Sequence, residues 1–222
     1  FKTPKHSDPY TVMGRQAIAD ALADAGIAYS TVNQAFAAYV YGDSCSGHRV
    51  VYEAGLSGIP IFNVNSNCSS GSSALYLARQ AIESGAAECA LAVGFEQMTP
   101  GALAEQWADR PTPLEKFLEV ANRKLKDSTA PMAPRLFGAA GREYMEQYGM
   151  SPATLAQIPV KARRHAANNP RAVFTEQLTV EQVLASPSVC DPLTRFQCCP
   201  PTCGAAAAVL CSDEFAARHG IR

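Results

Sequence analysis

Apolar residues fall along this chain in short runs and helical stripes, most of them closed by a glycine. Residues Tyr10 to Ala25 carry Val12, Ala17, Ala21 and Ala25 at helix-like spacings, and Gly26 follows as a stop signal. Gln34 to Tyr41 (QAFAAYVY) is an apolar run of strand length that ends at Gly42-Asp43-Ser44. His48 to Ala54 predicts a short helix closed by Gly55, and Ile61 to Asn65 a second short strand after the Gly58-Ile59-Pro60 turn. Beyond Cys68, the residues Ala74, Leu75, Ala78, Ala81 and Ile82 make a stripe of helical period that stops at Ser84-Gly85. Glu88 to Val93 (ECALAV) is again of strand length and ends at Gly94. Strand, helix and strand in this order predict a right-handed parallel connection.

The pattern changes near Trp107. Pro111, Pro113, Pro131, Pro134, Pro152, Pro159, Pro170 and Pro187 punctuate the chain beyond it, and charges become frequent. Two helices are predicted there, Leu136 to Tyr148 and Pro152 to Asn168, the second with Ser151 as N-cap and Pro152 at its first position. At Gly204 the apolar pattern returns as GAAAAVLCS, a small-residue strand able to pack tightly against a helix. The chain therefore reads as an α/β core in two pieces, residues 1–110 and 190–222. Between them lies an inserted, mostly helical subdomain at 111–189.

Composition narrows the classes. The chain has 222 residues, a formal net charge of -1, 47% hydrophobic and 18% charged residues, the profile of a soluble globular protein with a real core. That balance gives no reason to expect nucleic acid or an anionic membrane as the main partner. No apolar run approaches the ~18 residues that span a bilayer, so no membrane insertion is expected. Of the eight cysteines, Cys45, Cys68 and Cys89 stand alone. Cys198, Cys199 and Cys203 cluster without a C-x-x-C pair or a nearby histidine. Free thiols in a reducing compartment are expected, with no metal and no resident cofactor.

Cys68 sits where a strand gives way to a helix. A thiol there faces the positive end of the helix dipole and unpaired backbone N–H groups, which favour the thiolate. The Ser69-Ser70-Gly71 stretch after it lets a bulky group approach the backbone, and the Cys68 N–H can donate to an oxyanion on an acyl carbonyl. Position alone leaves open that Cys68 is a small buried hydrophobe in a helix cap.

The run N-V-N-S-N-C-S-S-G-S-S-A-L, Asn63 to Leu75, is similar to the nucleophile motif of thiolases, most of all to the sterol carrier protein branch. Tyr41-Gly42-Asp43-Ser44 and Gly58-Ile59-Pro60 precede it in family order. Glu88 to Met98 (ECALAVGFEQM), Asn168-Asn169-Pro170, Gln197-Cys198-Cys199-Pro200 and Gly204-Ala205-Ala206-Ala207 follow, so the resemblance runs over essentially the whole chain.

The resemblance implies a thiolase-like half of βαβαβαββ form: a mixed, mostly parallel sheet with helices on both faces and an inserted loop domain. It also implies that the family's first strand and second half are absent from this stretch. The implied activity is an acyltransferase reaction, thiolysis of a 3-oxoacyl-CoA through a Cys68 thioester, with acyl-CoA and CoA as partners. Branched or sterol side-chain substrates and lipid β-oxidation go with that branch. A homodimer or homotetramer is implied, with the strand before Cys68 near the interface. So is residence in the peroxisomal matrix or mitochondrion of a eukaryote, or the cytoplasm of a bacterium. The inserted domain should contact CoA, and Arg163, Arg164 and His165, with Lys161 and Arg171 nearby, form a basic patch that could do so. Otherwise the patch is a solvated helix face.

Two departures stand out. The family's catalytic histidines and second cysteine belong to its second half, and none of His6, His48, His165 and His219 stands in such a context. His48 is expected to be solvated or locally bonded, and this stretch alone to be inactive. Cys203 stands where the family usually has Asp, which puts the hydrogen bonds at that strand entry in doubt. The competing readings are a condensing enzyme of the same superfamily and a thiolase-like acyl-CoA or lipid binder without turnover.

Overall fold

The computed structural model describes residues 1–99, 102, 107–124 and 129–221, and the chain divides into two compact units, residues 1–102 with 201–222, and residues 103–200. In chain order the first unit holds α1 (Tyr10–Ala25), β1 (Gln34–Ala38), α2 (Ser46–Val51), β2 (Ile61–Val64), α3 (Ser70–Glu83) and β3 (Cys89–Glu96). The second holds α4 (Glu115–Lys124), α5 (Met132–Tyr148), α6 (Pro152–Ala166), α7 (Val180–Ala185), β4 (Ser188–Cys190) and β5 (Leu193–Thr194). The strand β6 (Gly204–Cys211) and the helix α8 (Asp213–His219) complete the first unit.

In the first unit four strands form one sheet in the order β2-β1-β3-β6. β1 is parallel to both β2 and β3, and β6 runs antiparallel to β3, pairing Cys89 with Cys211 through Glu96 with Gly204. The sheet is thus mixed and mostly parallel. The connection from β2 through α3 to β3 is parallel in sense, but its strands are not neighbours, because β1 lies between them.

Alternation along the strands decides what each face buries. Ala35 and Ala37 of β1 share one face with Cys89, Leu91, Val93 and Phe95 of β3, covered by Ile18 of α1, Val50 and Val51 of α2 and Phe215 of α8. Phe36 and Ala38 share the other face with Ala90 and Ala92, covered by Ala74, Ala78 and Ala81 of α3. The three alanines at helical spacing let the α3 backbone lie close to the sheet. Helices on both faces make this an α/β layered fold.

Glycines set two of the close approaches. A Cβ on Gly14 of α1 would overlap Val50 of α2, and one on Gly47 of α2 would overlap Asn63 of β2 and Ala37 of β1. Gly26 ends α1 in the left-handed conformation, φ 67°, with its N–H on the carbonyls of Ala23 and Leu22.

The strand read as Gln34 to Tyr41 stops at Ala38, since the Val40 and Tyr41 N–H groups turn away to the Glu96 carboxylate. The helix read as His48 to Ala54 runs Ser46–Val51. In the second unit α5 starts at Met132, with Pro134 in its first turn, where a proline costs little. Ser151 caps α6 by accepting the Thr154 N–H at 3.3 Å. The sequence pattern predicts neither α4 nor α7. α7 opens with a capping box, Gln182 N–H on Thr179 Oγ1 and Thr179 N–H on Gln182 Oε1.

The second unit reaches from 103 to 200 rather than from 111 to 189. Its C-terminal extension has a physical cause. Arg195 N–H donates to Pro187 O and Thr194 Oγ1 donates to Val183 O, both at 2.8 Å, so these residues fold onto α7 before the chain returns to the core.

Candidate active site

The parallel strands end together on one side of the sheet, where the loops after β1, β2 and β3 meet the start of α3. Cys68 lies in the loop after β2, two residues before α3, and its side chain is exposed. The loop is a small hydrogen-bonded knot. Ser66 N–H donates to Ser70 Oγ at 2.8 Å, and Ser70 Oγ donates to Asn67 O at 2.6 Å. Ser69 Oγ donates to Ser66 O at 2.8 Å, and Asn67 takes the left-handed conformation at φ 48°. The serines of the motif thus hold the loop rather than cap the helix, for the Ser69 side chain accepts no N–H of α3. The Ser69 and Ser70 N–H groups close the turn onto the carbonyls of Ser66 and Asn67, at 3.1 and 3.0 Å.

The segment after Cys89 works residue by residue at the same end. A Cβ on Gly94 would sit 3.8 Å from the Gly71 Cα, so β3 and the start of α3 touch through two glycines. Phe95 stacks between Tyr10, at 5.4 Å, and Tyr39, at 5.2 Å. Glu96 accepts the Val40 N–H on Oε2 at 3.0 Å and the Tyr41 N–H on Oε1 at 3.3 Å. Gln97 Oε1 accepts the Tyr10 N–H at 2.8 Å, and Met98 N–H donates to the Cys203 thiol at 3.1 Å. Cys203 therefore supplies a side-chain bond at the strand entry, and its backbone pairs with Lys2 in both directions at 2.9 Å.

Electrostatics single out Glu96. Burial pushes its carboxyl above the ordinary carboxylate value, while the Val40, Tyr41 and Gln97 N–H groups pull the other way. The Tyr41 phenol is raised first by burial and then by the nearby Cys68 and Glu96. Tyr41 is thus a neighbour of the thiol, and Glu96 holds the Tyr41 backbone; sequence reasoning missed both as individual residues. A signal was present: a carboxylate closing a buried apolar strand needs donors, and loop N–H groups at strand ends supply them. Beside this site a shallow cavity of about 210 Å³ is lined by Tyr39, Val40, Gly42, Ser44, Asn63, Val64 and Asn65.

The other candidates lie elsewhere. Arg163, Arg164 and His165 occupy the last turn of α6, where cations suit the helix dipole. The Arg163 guanidinium stacks over Phe174 at 4.6 Å, and Arg164 and His165 are exposed. His48 is locally bonded, its Nδ1 accepting from Asn63 Nδ2 at 2.9 Å, and His219 stacks on Phe215 at 4.1 Å. No hydrogen bond joins any histidine to Cys68 among the described residues, nor do three or more His, Cys, Asp or Glu side chains gather there to hold a metal. No helix among the described residues is long and apolar enough to cross a membrane.

Fold and site define an α/β protein that presents a thiol at a strand-to-helix turn. Residues 1–214 match the family model "Thiolase, N-terminal domain", and the chain belongs to that family. It is 47% identical over 222 residues to "Sterol carrier protein 2" of Gallus gallus, covering 100% of this chain and 41% of that protein. It is 34% identical over 225 residues to "Benzoylsuccinyl-CoA thiolase subunit BbsB" of Thauera aromatica, covering 100% of this chain and 55% of that one. The chain spans about two-fifths of the length of the sterol carrier protein 2 relatives it matches. Among solved structures it resembles the "Ltp2-ChsH2(DUF35) aldolase", with a TM-score of 0.77, 23% identity and coverage of 97% of this chain and 54% of that one, a likeness of fold.

Proposed function

We propose that this chain carries the nucleophile of a 3-oxoacyl-CoA thiolase, an acyltransferase in which Cys68 accepts the acyl group. The observation that supports it most is the exposed Cys68 thiol in a serine-knotted turn at the head of α3, inside a thiolase-family chain. In this reading the Cys68 sulfur attacks the 3-keto carbon of the substrate, and the bond to the adjacent carbon breaks. The departing acetyl-CoA or propionyl-CoA leaves as an enolate and takes up a proton. A second CoA thiol then attacks the Cys68 thioester and carries the acyl group away. In this reading the Cys68 N–H donates to the oxyanions of both steps. General acid–base work falls to groups that the resemblance puts in the family's second half. Branched or sterol side-chain substrates, β-oxidation in peroxisome or mitochondrion, and a homodimer or homotetramer belong to the same reading.

The test is covalent. Brief incubation of the intact protein with a 3-oxoacyl-CoA, followed by peptide mapping, is expected to find the acyl group on Cys68. Acylation of Cys45 or Cys199, the other exposed thiols, would overturn the assignment. A second reading, lipid binding without turnover, is favoured by one finding: a relative 41% identical over 209 residues is called "Non-specific lipid-transfer protein-like 2" of Caenorhabditis elegans. It requires that Cys68 remain unacylated while lipid binds.

The second unit is proposed as the CoA-contacting domain, through Arg164 and His165. Arg163 is engaged with Phe174, so charge reversal at Arg164 is the cleaner probe. Arg164→Glu is expected to raise the Kd for CoA by about 3–10-fold at low salt, and less at high salt, as for an exposed phosphate contact. Unchanged binding at low salt would make the patch a solvated helix face.

A further inference from the structure

Cys89 and Cys211 face each other across the antiparallel pair of β3 and β6. The pair is of the non-hydrogen-bonded kind, on two independent grounds. One step outward, Ser212 N–H donates to Glu88 O at 2.9 Å, which makes that neighbour the hydrogen-bonded pair. Both backbone groups of Cys89 are also turned to Asn33, its N–H on Asn33 Oδ1 at 3.0 Å and its carbonyl accepting the Asn33 N–H at 2.8 Å. Non-hydrogen-bonded partners have Cα atoms about 4.5 Å apart with side chains on one face, inside the roughly 4.4–6.8 Å span of disulfides. Cys89 is fully buried, and Cys211 is partly exposed and packs on the same cluster.

The geometry points to Cys89 and Cys211 as a cross-strand dithiol that a low-molecular-weight disulfide converts into an intramolecular disulfide. Cys211, the accessible partner, loses its proton to solvent and attacks one sulfur of the oxidant. That S–S bond breaks, and one small thiol leaves. Cys89 then loses its proton and attacks the Cys211 sulfur, forming the protein disulfide and expelling the second small thiol. Two protein thiols are oxidised, one small disulfide is reduced, and two protons pass through solvent to the leaving thiolates. The bond would fasten the returning strand β6 to β3, two segments separated in sequence by the whole second unit.

Burial and the neighbouring Cys211 push the Cys89 thiol up to about 11, and burial and Asp213 raise Cys211. Both thiols are protonated near neutrality, so the bond forms slowly there and faster as pH rises. High-pKa thiols are also poor leaving groups, so once made it resists exchange. The modification is persistent rather than rapidly cycling, and it is independent of the reading of Cys68.

The experiment treats the intact protein with oxidised glutathione from about pH 7 to about pH 9.5 and maps peptides without reduction. A peptide linked through Cys89 and Cys211 is expected, its rate rising with pH, absent in Cys211→Ser and in Cys89→Ala. The oxidised protein should unfold about 5–10 °C higher than the reduced one. The proposal is overturned if Cys211 stops at a glutathione adduct, if linked peptides omit Cys89, or if neither thiol reacts at the alkaline end.

Discussion

Replacing Cys68 with serine is expected to lower thiolysis of a 3-oxoacyl-CoA by about 10⁴–10⁶-fold while leaving the fold intact. The size of the effect comes from the chemistry of the two side chains. A thiol is a few per cent ionised near neutrality and is intrinsically nucleophilic, whereas a serine hydroxyl needs an adjacent base. The fold is spared because the knot around position 68 is tied by Ser66, Ser69 and Ser70, and none of its bonds uses the Cys68 sulfur. The unfolding free energy should move by no more than an exposed substitution moves it, about ±0.5 kcal/mol. Steady-state assays of the intact protein check the first statement, and thermal unfolding the second. Activity within about tenfold of the parent would transfer the nucleophile to another cysteine.

Local chemistry is legible where the chain writes its own boundary. α1 is found from Tyr10 to Ala25 because Gly26 adopts the left-handed conformation that ends it. α6 begins at Pro152 because Ser151 caps it. Sequence patterns mislead where a distant residue decides. β1 stops at Ala38 although the apolar run continues to Tyr41, because Glu96, far along the chain, takes the next two N–H groups. α7 is short, and its one readable signal, the Thr179 and Gln182 capping box, is easily lost amid the prolines. α4 carries Phe117, Leu118, Val120 and Ala121 at helical spacing, but the set is short, follows Pro111 and Pro113, and leaves Phe117 and Val120 exposed while Ala121 is buried.

The candidate site divides in the same way. A thiol between a strand and a helix can be located from pattern alone, but pattern does not distinguish a buried filler from an exposed nucleophile. The resemblance makes that choice, and the structure leaves the side chain exposed. Cys203 illustrates the reverse error. The absence of an Asp there put the strand-entry hydrogen bonds in doubt. The thiol sulfur instead accepts the Met98 N–H, because the surrounding backbone is close enough for a weak acceptor to serve.

Glu96 is expected to be the most consequential residue at the site after Cys68. Its carboxylate takes the N–H groups that β1 leaves open, and so fixes the backbone of Val40 and of Tyr41, whose phenol lies near the Cys68 thiol. Glu96→Ala removes both acceptors and should cost about 1–2 kcal/mol of stability, discounted because Tyr41 is partly solvated. It should also lower kcat by about 10–10²-fold with a smaller change in KM, since the loop next to the nucleophile loses its anchor. Glu96→Gln keeps one carbonyl acceptor and is expected to recover much of both losses. The pH dependence carries a sign. Because burial raises the Glu96 carboxyl, the folded chain holds this proton more tightly than the unfolded chain. Its favourable contribution is complete below the ordinary carboxylate value and is lost as pH rises through the raised folded value. Glu96→Gln does not titrate, so the parent should lose stability relative to this variant as pH climbs through the weakly acid range. Urea unfolding of both proteins at a series of pH values measures the difference. A gap that stays constant with pH, or that shifts in the parent's favour as pH rises, would remove Glu96 from this role.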